Sequence, residues 1–401
     1  MSRSISVYVH FPWCLAKCPY CDFVSYAAPR ESIPHQAYSD AVVREFECRV
    51  ARIQNQWDDR IVTSIFFGGG TPSLWDASAI ERVIARVRNL SNVSPSVEIT
   101  VECNPTSLDI TRANALADAG VNRLSIGTQS LDRDQLKFLG RLHTPDGATT
   151  AVREAMQSRV ARVSTDMIFA LAEQSSDNAC AQAEALADLG LRHLSCYQLT
   201  IEPGTQFGEL AKRGRLPLAD EAVAANTFVA IGNALEARGF VHYEISNYAM
   251  PGDEARHNIA YWRGDEYLGL GCGAFGFVRR DTEIETGGIR YRNDINPSSY
   301  MTRANAMILA TPSADDGVST TAETLDTATL LRERIMLGLR MCDGVDLDEV
   351  ASDLKCEVWT SERKKSALEL VRRERLVIDG GRIRIPKTAW LWTDDTSARL
   401  F

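Results

Sequence analysis

Three cysteines, Cys14, Cys18 and Cys21, stand in the run Tyr8-Val9-His10-Phe11-Pro12-Trp13-Cys14-Leu15-Ala16-Lys17-Cys18-Pro19-Tyr20-Cys21. Their C-x3-C-x2-C spacing puts three thiolates on one short loop. Iron–sulfur clusters and structural zinc sites take four ligands, so three leave one metal position open. An open iron beside a reducing cluster is a place to bind and cleave a ligand. The competing readings are chance, a zinc ion completed from far along the chain, and half of a disulfide pattern. Zinc usually brings paired C-x2-C units or histidines. Disulfides are disfavoured because Cys48, Cys103, Cys180, Cys196, Cys272, Cys342 and Cys356 are spread singly. The residues ahead of Cys14 also read as a strand rather than a secretory signal. A reducing, cytoplasmic setting and an iron–sulfur cluster are therefore expected.

Other polar residues end apolar runs. Gly68-Gly69-Gly70-Thr71-Pro72 lacks the spacing of a dinucleotide fingerprint or a phosphate loop. Its glycines let the backbone approach a ligand closely, or simply form a turn. Glu102 closes an apolar strand, where a carboxylate needs a partner: a ligand ammonium or a salt bridge at the rim. Gln129 and Asp166 could meet ligand hydroxyls, and Arg141 a carboxylate. Each alone is more often a surface or capping residue.

These residues need a frame that brings them together. Strands are expected over Ile5–His10, Ile61–Phe67, Val97–Cys103, Val121–Gly127, Val160–Phe169 and Leu191–Leu199. Helices are expected over Tyr38–Trp57, Ala77–Asn89, Asp109–Ala119, Gly147–Gln157 and Ala179–Leu189. Gly120 and Gly190 fall where helices end. Strand–helix alternation makes parallel β-α units, as a partial barrel or an open sheet, with function at the C-terminal strand ends. Thr311–Thr324 reads as a linker. Beyond it, helices over Leu330–Met341, Leu347–Leu354 and Ser361–Arg373 precede a hairpin over Leu376–Ile385, in the order of a winged helix. The expected domains are 1–245, a connecting 246–310, and 311–401. The 401 residues are 45% hydrophobic and 24% charged with net charge −9, which disfavours nucleic-acid binding through phosphates. No apolar run reaches the roughly 20 residues of a membrane span.

Taken in order, the cysteine loop, Gly68–Pro72, Glu102, Gly127-Thr128-Gln129-Ser130 and Gly140-Arg141-Leu142-His143 resemble the radical S-adenosylmethionine (SAM) superfamily. More narrowly they resemble the oxygen-independent coproporphyrinogen III oxidase-like group and its HemW-type haem chaperones. The resemblance covers nearly the whole chain. It implies an α/β fold: a partial (β/α)6 barrel followed by a small C-terminal helical, winged-helix-like domain. It implies a 4Fe–4S cluster on Cys14, Cys18 and Cys21, with SAM chelated to the open iron. It places Tyr8, Tyr20, Gly69, Gly70, Thr71, Glu102, Gln129, Arg141 and Asp166 around SAM. The implied chemistry, one-electron reduction of the sulfonium, belongs to the cofactor.

Departures choose the branch. The oxidases carry a further cysteine two residues after the third ligand, where Phe23 stands here, and a longer arm ahead of the cluster loop. Both differences argue against coproporphyrinogen decarboxylation. Arg256-His257-Asn258-Ile259-Ala260-Tyr261-Trp262 resembles the chaperones' H-N-x-x-Y-W motif, which makes His257 the candidate haem ligand, with Tyr261 and Trp262 against the porphyrin. The plainer alternative is a histidine satisfied by a backbone partner. The expected function is binding of haem and its transfer to acceptor haemoproteins, respiratory ones among the candidates, with transient contact to a membrane-bound acceptor allowed. The alternative is a radical SAM oxidoreductase acting on a porphyrinogen. Ala170, Ala172 and Glu173 replace the family's usual Gly-Leu-Pro-Gly turn formers. Cys272 and Phe275 stand where proline and histidine are common, and neither is assigned a ligand role.

Overall fold

The computed structural model describes residues 3–53, 57–280, 286–308 and 317–401. Among these, a twelve-stranded sheet runs in the order β14-β13-β12-β11-β1-β4-β5-β6-β7-β8-β10-β9. Its centre is the expected parallel series: β1 (Arg3–Phe11), β4 (Arg60–Gly69), β5 (Asn92–Cys103), β6 (Arg123–Gln129), β7 (Arg162–Phe169) and β8 (His193–Gln198). The short strands β2 (Trp13–Cys14) and β3 (Tyr26–Ala27) bracket the cysteine loop and pair in parallel.

Period-two alternation decides what each strand offers to either face. In β1, Ile5, Val7, Val9 and Phe11 pack into the main apolar core with Val62, Ile65 and Phe67 of β4. Ser6 and Tyr8 point the other way: Ser6 meets Ser64 at 2.8 Å, and Tyr8 stacks on Phe66. The apolar face is covered by helices at His35–Arg52, Ala77–Leu90, Ile110–Asp118, Pro145–Gln157 and Ser176–Ala187, all expected with small shifts of their ends. Residues 54–56 of the first expected helix lie outside the described residues. Asp109, Thr144 and Ser175 cap the last three of these helices through their side chains. Gly120 and Gly190 take left-handed φ of +95° and +94° just past two helix ends.

Beyond β8 the chain extends the sheet at both edges. β9 (Val241–Glu244) and β10 (Asn247–Ala249) form one antiparallel edge on β8. β11 (Glu266–Leu270) joins β1 in parallel, and β12 (Phe275–Arg279), β13 (Gly288–Asn293) and β14 (Ser319–Leu325) follow antiparallel. The expected linker over 311–324 is thus corrected: residues 311–316, with the proposed boundary at 310/311, lie outside the described residues, and Ser319–Leu325 is an edge strand. Its run of small polar and acidic residues looks like a linker because all but its ends face solvent.

The C-terminal part has its own core of Leu330, Ile335, Leu347, Leu354, Leu370, Ile383 and Trp390, joined to the sheet by Phe277 and Leu325. Helices at Thr327–Gly338, Leu347–Leu354 and Ser361–Arg372 precede the hairpin of β16 (Val377–Asp379) and β17 (Arg382–Arg384), which β15 (Val345–Asp346) completes. The order is the winged-helix-like one expected.

The turn after β7 keeps a glycine-type conformation without glycine. Ala170 and Glu173 take φ of +60° and +61°. A left-handed non-glycine residue costs about 1–2 kcal/mol. Ala170→Gly and Glu173→Gly should therefore each raise stability by about 1 kcal/mol in chemical denaturation, less whatever glycine's unfolded-state entropy takes back.

Candidate functional site

The C-terminal ends of β4 to β8 and the cysteine loop enclose one cavity of about 490 Å3. Cys14, Cys18, Cys21, Tyr20, Gly69, Gly70, Thr71, Glu102, Gln129, Arg141 and Asp166 all line it, so the structure brings together nearly every residue singled out in the sequence. Among the residues expected around SAM, Tyr8 is the exception. It lies beneath the cavity, its hydroxyl 3.0 Å from His10 Nδ1 and its ring stacked on Phe66.

Backbone bonds fasten the loop to the glycine turn. Gly70 N–H donates to Phe11 O (2.7 Å) and Thr71 N–H to Trp13 O (2.8 Å). Ala28 N–H donates to Cys14 O (2.9 Å), and Cys21 N–H to Cys18 O (3.1 Å). His10 Nε2 bonds the Val24 carbonyl at 2.7 Å, tying down the far side of the loop. Gly69 has φ +107°, and a Cβ there would fall 2.5 Å from the His10 ring. A Cβ on Gly70 would fall 2.6 Å from Trp13 O. Both positions are therefore closed to larger residues.

The three thiols are free. Among the described residues they do not converge as a single-ion site. A four-iron cluster takes each thiolate at a separate corner, so its ligands need not meet at one point. Burial pushes the Cys14 and Cys21 thiols up, so metal loading must displace their protons. Arg141 sits at the seam: Nη1 lies 3.5 Å from Cys18 Sγ, Nη2 donates to Gly127 O at 2.8 Å, and Nε is buried without a partner.

Two carboxylates form the cavity floor. Glu102 accepts from Gly69 N–H at 3.1 Å. Burial, then the neighbouring Asp166, pushes its pKa up to about 8. Asp166 accepts from Ser125 Oγ at 3.2 Å and is itself raised by burial. Such a pair calls for a cation or hydroxyl donors from a ligand. The unpartnered Arg141 Nε calls for an acceptor. SAM carries an ammonium, a sulfonium, ribose hydroxyls and a carboxylate, so the residues present fit it.

Sequence reasoning missed Ser125 and Tyr197, both lining the cavity. Each lies on the same face as the flagged residues, two positions before Gly127 on β6 or two after Ser195 on β8. Gln129 takes a left-handed φ of +63°, which the strand's sequence does not announce. Phe23 stands half-exposed at the cavity mouth. Cys272 is buried, with its thiol donating to Ile295 O at 2.9 Å, and neither it nor Phe275 lines the cavity.

His257 lies elsewhere, on a short helix (Arg256–Trp262) against β4. Its Nδ1 is 2.8 Å from Ser64 Oγ, and its backbone N–H donates to Glu98 Oε1 at 3.1 Å. The ring stacks on Phe66 at 4.7 Å. Ser64 gives its own proton to Ser6, so Nδ1 carries the ring proton and Nε2 keeps a bare lone pair. Burial pushes the imidazole down to about 4, so it is neutral at pH 7. Its partner is thus a side-chain hydroxyl rather than the backbone group of the plainer alternative. Tyr261 and Trp262 do not flank this ring. Tyr261 packs on Trp262 and Tyr267, and Trp262 lies under Arg340.

The radical SAM superfamily model matches residues 8–179, and the HemN C-terminal domain model matches residues 325–392. The chain is 40% identical over 275 residues to the heme chaperone HemW of Escherichia coli K12, covering 68% of this chain and 70% of that one. It belongs to the radical SAM superfamily, in the HemW family. The HemW of Lactococcus lactis is 30% identical over 385 residues, 96% of this chain and 94% of the relative. The solved structure of coproporphyrinogen III oxidase (HemN) from Escherichia coli superposes with a TM-score of 0.78 at 18% identity, covering 100% of this chain and 90% of that one. That likeness establishes the shared fold, barrel and C-terminal domain included. The superfamily implies a 4Fe–4S cluster and SAM.

A cation on the floor requires ionised Glu102, which is mostly neutral at pH 7. SAM binding should therefore release up to one proton at pH 7. Affinity should rise from pH 6 to about 8 and then level off. Calorimetry of cluster-loaded protein in buffers of different ionisation heat measures the proton count. A count that Glu102→Gln leaves unchanged would refute the role.

Proposed function

We propose that the chain is a haem chaperone built on a radical SAM scaffold: it binds haem and passes it to acceptor haemoproteins. The observation that carries this reading is the similarity to proteins named heme chaperone HemW along almost the entire chain. Phe23 supports it, since the oxidase branch is expected to carry cysteine there. Cys14, Cys18 and Cys21 would hold a 4Fe–4S cluster. Gly69, Gly70, Thr71, Glu102, Gln129, Arg141 and Asp166 would hold SAM, with Tyr20 beside them. When bound, the pair supplies one-electron reduction of the sulfonium.

His257 is the proposed axial ligand. Its neutral ring offers Nε2 as a lone-pair donor, and Ser64 fixes the tautomer through Nδ1. Among the described residues no helix is long and apolar enough to cross a membrane. We place the protein in the cytoplasm, meeting acceptors through its surface.

Haem titration tests the ligand. His257→Ala should lose the imidazole-ligated absorption spectrum and bind haem about tenfold or more weakly. Ser64→Ala should keep the spectrum with a smaller loss, in line with the cost of removing a partner that orients a metal ligand. Identical spectra and affinities in wild type and His257→Ala would remove His257. Cys14→Ser should abolish cluster iron after anaerobic reconstitution; unchanged iron would overturn the cluster assignment. Reduced, SAM-supplied protein should not decarboxylate coproporphyrinogen III; turnover there would favour the porphyrinogen oxidoreductase reading.

A further inference from the structure

A second cavity, of about 130 Å3, lies at the opposite, N-terminal end of β6, β7 and β8. Arg123, Arg162, Arg192, His193 and Asp253 line it. Arg123 is 3% exposed, yet it makes one hydrogen bond among the described residues, Nη2 to Ser164 Oγ at 3.2 Å. Its ion pair with Glu98 spans 3.9 Å, beyond hydrogen-bond reach. A guanidinium has five N–H donors, and because Arg123 lines the cavity the donors it leaves unused are available to a ligand there. His193, also 3% exposed, bonds Tyr243 Oη through Nε2 at 2.8 Å and leaves Nδ1 unpartnered.

The charges set what fits. Arg162 pairs with Glu98 at 2.8 Å and with Asp253 at 3.5 Å, and Arg192 pairs with Asp253. Three guanidiniums against two carboxylates leave one positive charge, which matches a monoanion better than a phosphate dianion. The planar donors of Arg123 match a carboxylate. Asp253 already occupies the outer rim as an internal carboxylate. It belongs to the loop that leads into the His257 helix, and Arg162 also holds the Glu254 carbonyl of that loop at 2.8 Å.

We propose that this cavity is a carboxylate-binding site, with Arg123 as its buried anchor and Asp253 as a displaceable competitor. Free small acids and the propionate arms of a tetrapyrrole share the required chemistry. Only the second source rests on the haem reading.

Calorimetric titration of the full, cluster-loaded chain with acetate and propionate, in buffer free of carboxylate and phosphate, tests the site. Saturable binding is expected in wild type. Asp253→Asn should bind about tenfold more tightly, Arg192→Ala more weakly, and Arg123→Met not measurably. Asp253 and Arg192 lie towards the surface, so these two variants remain informative if Arg123→Met does not fold. A second arm compares haem with its dimethyl ester. If propionates are the source, the ester binds about tenfold more weakly, Asp253→Asn widens the gap, and acetate competes with haem. If free acids are the source, acetate binds while haem and ester are equal. No saturable acid binding in wild type or Asp253→Asn, together with equal haem and ester affinities, overturns the site. Loss of haem binding in His257→Ala is read separately and bears on the haem assignment alone.

Discussion

The backbone seam between Phe11–Trp13 and Gly70–Thr71 is the contact on which the site depends. Parallel strands β1 and β4 do not stop where their side chains cease to pack. Their bonding continues through Gly70 N–H to Phe11 O and Thr71 N–H to Trp13 O. That extension carries the cysteine loop onto the glycine turn and fixes both to the sheet. Gly69 and Gly70 permit it, because a Cβ at either would strike His10 or Trp13. The placement of the three cysteines beside the glycine turn and the cavity follows from this seam.

Beneath it, the interior face departs from the usual filling of a β/α barrel. Bulky branched side chains normally occupy such an interior. Here Ser6, Ser64, Thr100, Ser125, Ser164 and Ser195 take those places, with Glu102 and Asp166 above and Glu98, Arg123 and Arg162 below. Hydroxyls keep the layer polar and narrow, so each charged layer is partnered from the middle: Ser125 bonds Asp166 and Ser164 bonds Arg123, while Ser64 bonds the neutral His257. The scaffold's stability lies on the other face, in the apolar contacts between strands and helices. The inner face is left to chemistry.

Several parts of this arrangement were legible in the linear order. Alternating apolar strands and amphipathic helices mark the six parallel units, since each strand must bury one face against a helix. The motifs after each strand announce the cavity because parallel strands bring their C-terminal ends to one rim. Other parts were hidden. Ser319–Leu325 resembles a linker because an edge strand is polar wherever it faces solvent. Ala170 and Glu173 suggest a changed bend, yet both adopt the left-handed conformation that glycine would take. Tyr8 and Tyr20 read as equivalent flanks of the loop; the pleat puts Tyr8 beneath the cavity and Tyr20 on its wall.

Local chemistry therefore resides in short runs: thiols at fixed spacing, glycines at a close approach, a carboxylate closing a strand. A run carries that information because its residues act through their own backbone and nearest neighbours. Pairwise geometry across the fold does not reside there. That Asp166 helps push up the pKa of Glu102, that Ser64 selects the tautomer of a histidine 193 positions away, and that Arg123 makes a single hydrogen bond among the described residues are tertiary facts. Each depends on which strands lie side by side and how the sheet curls, and no local spacing encodes either.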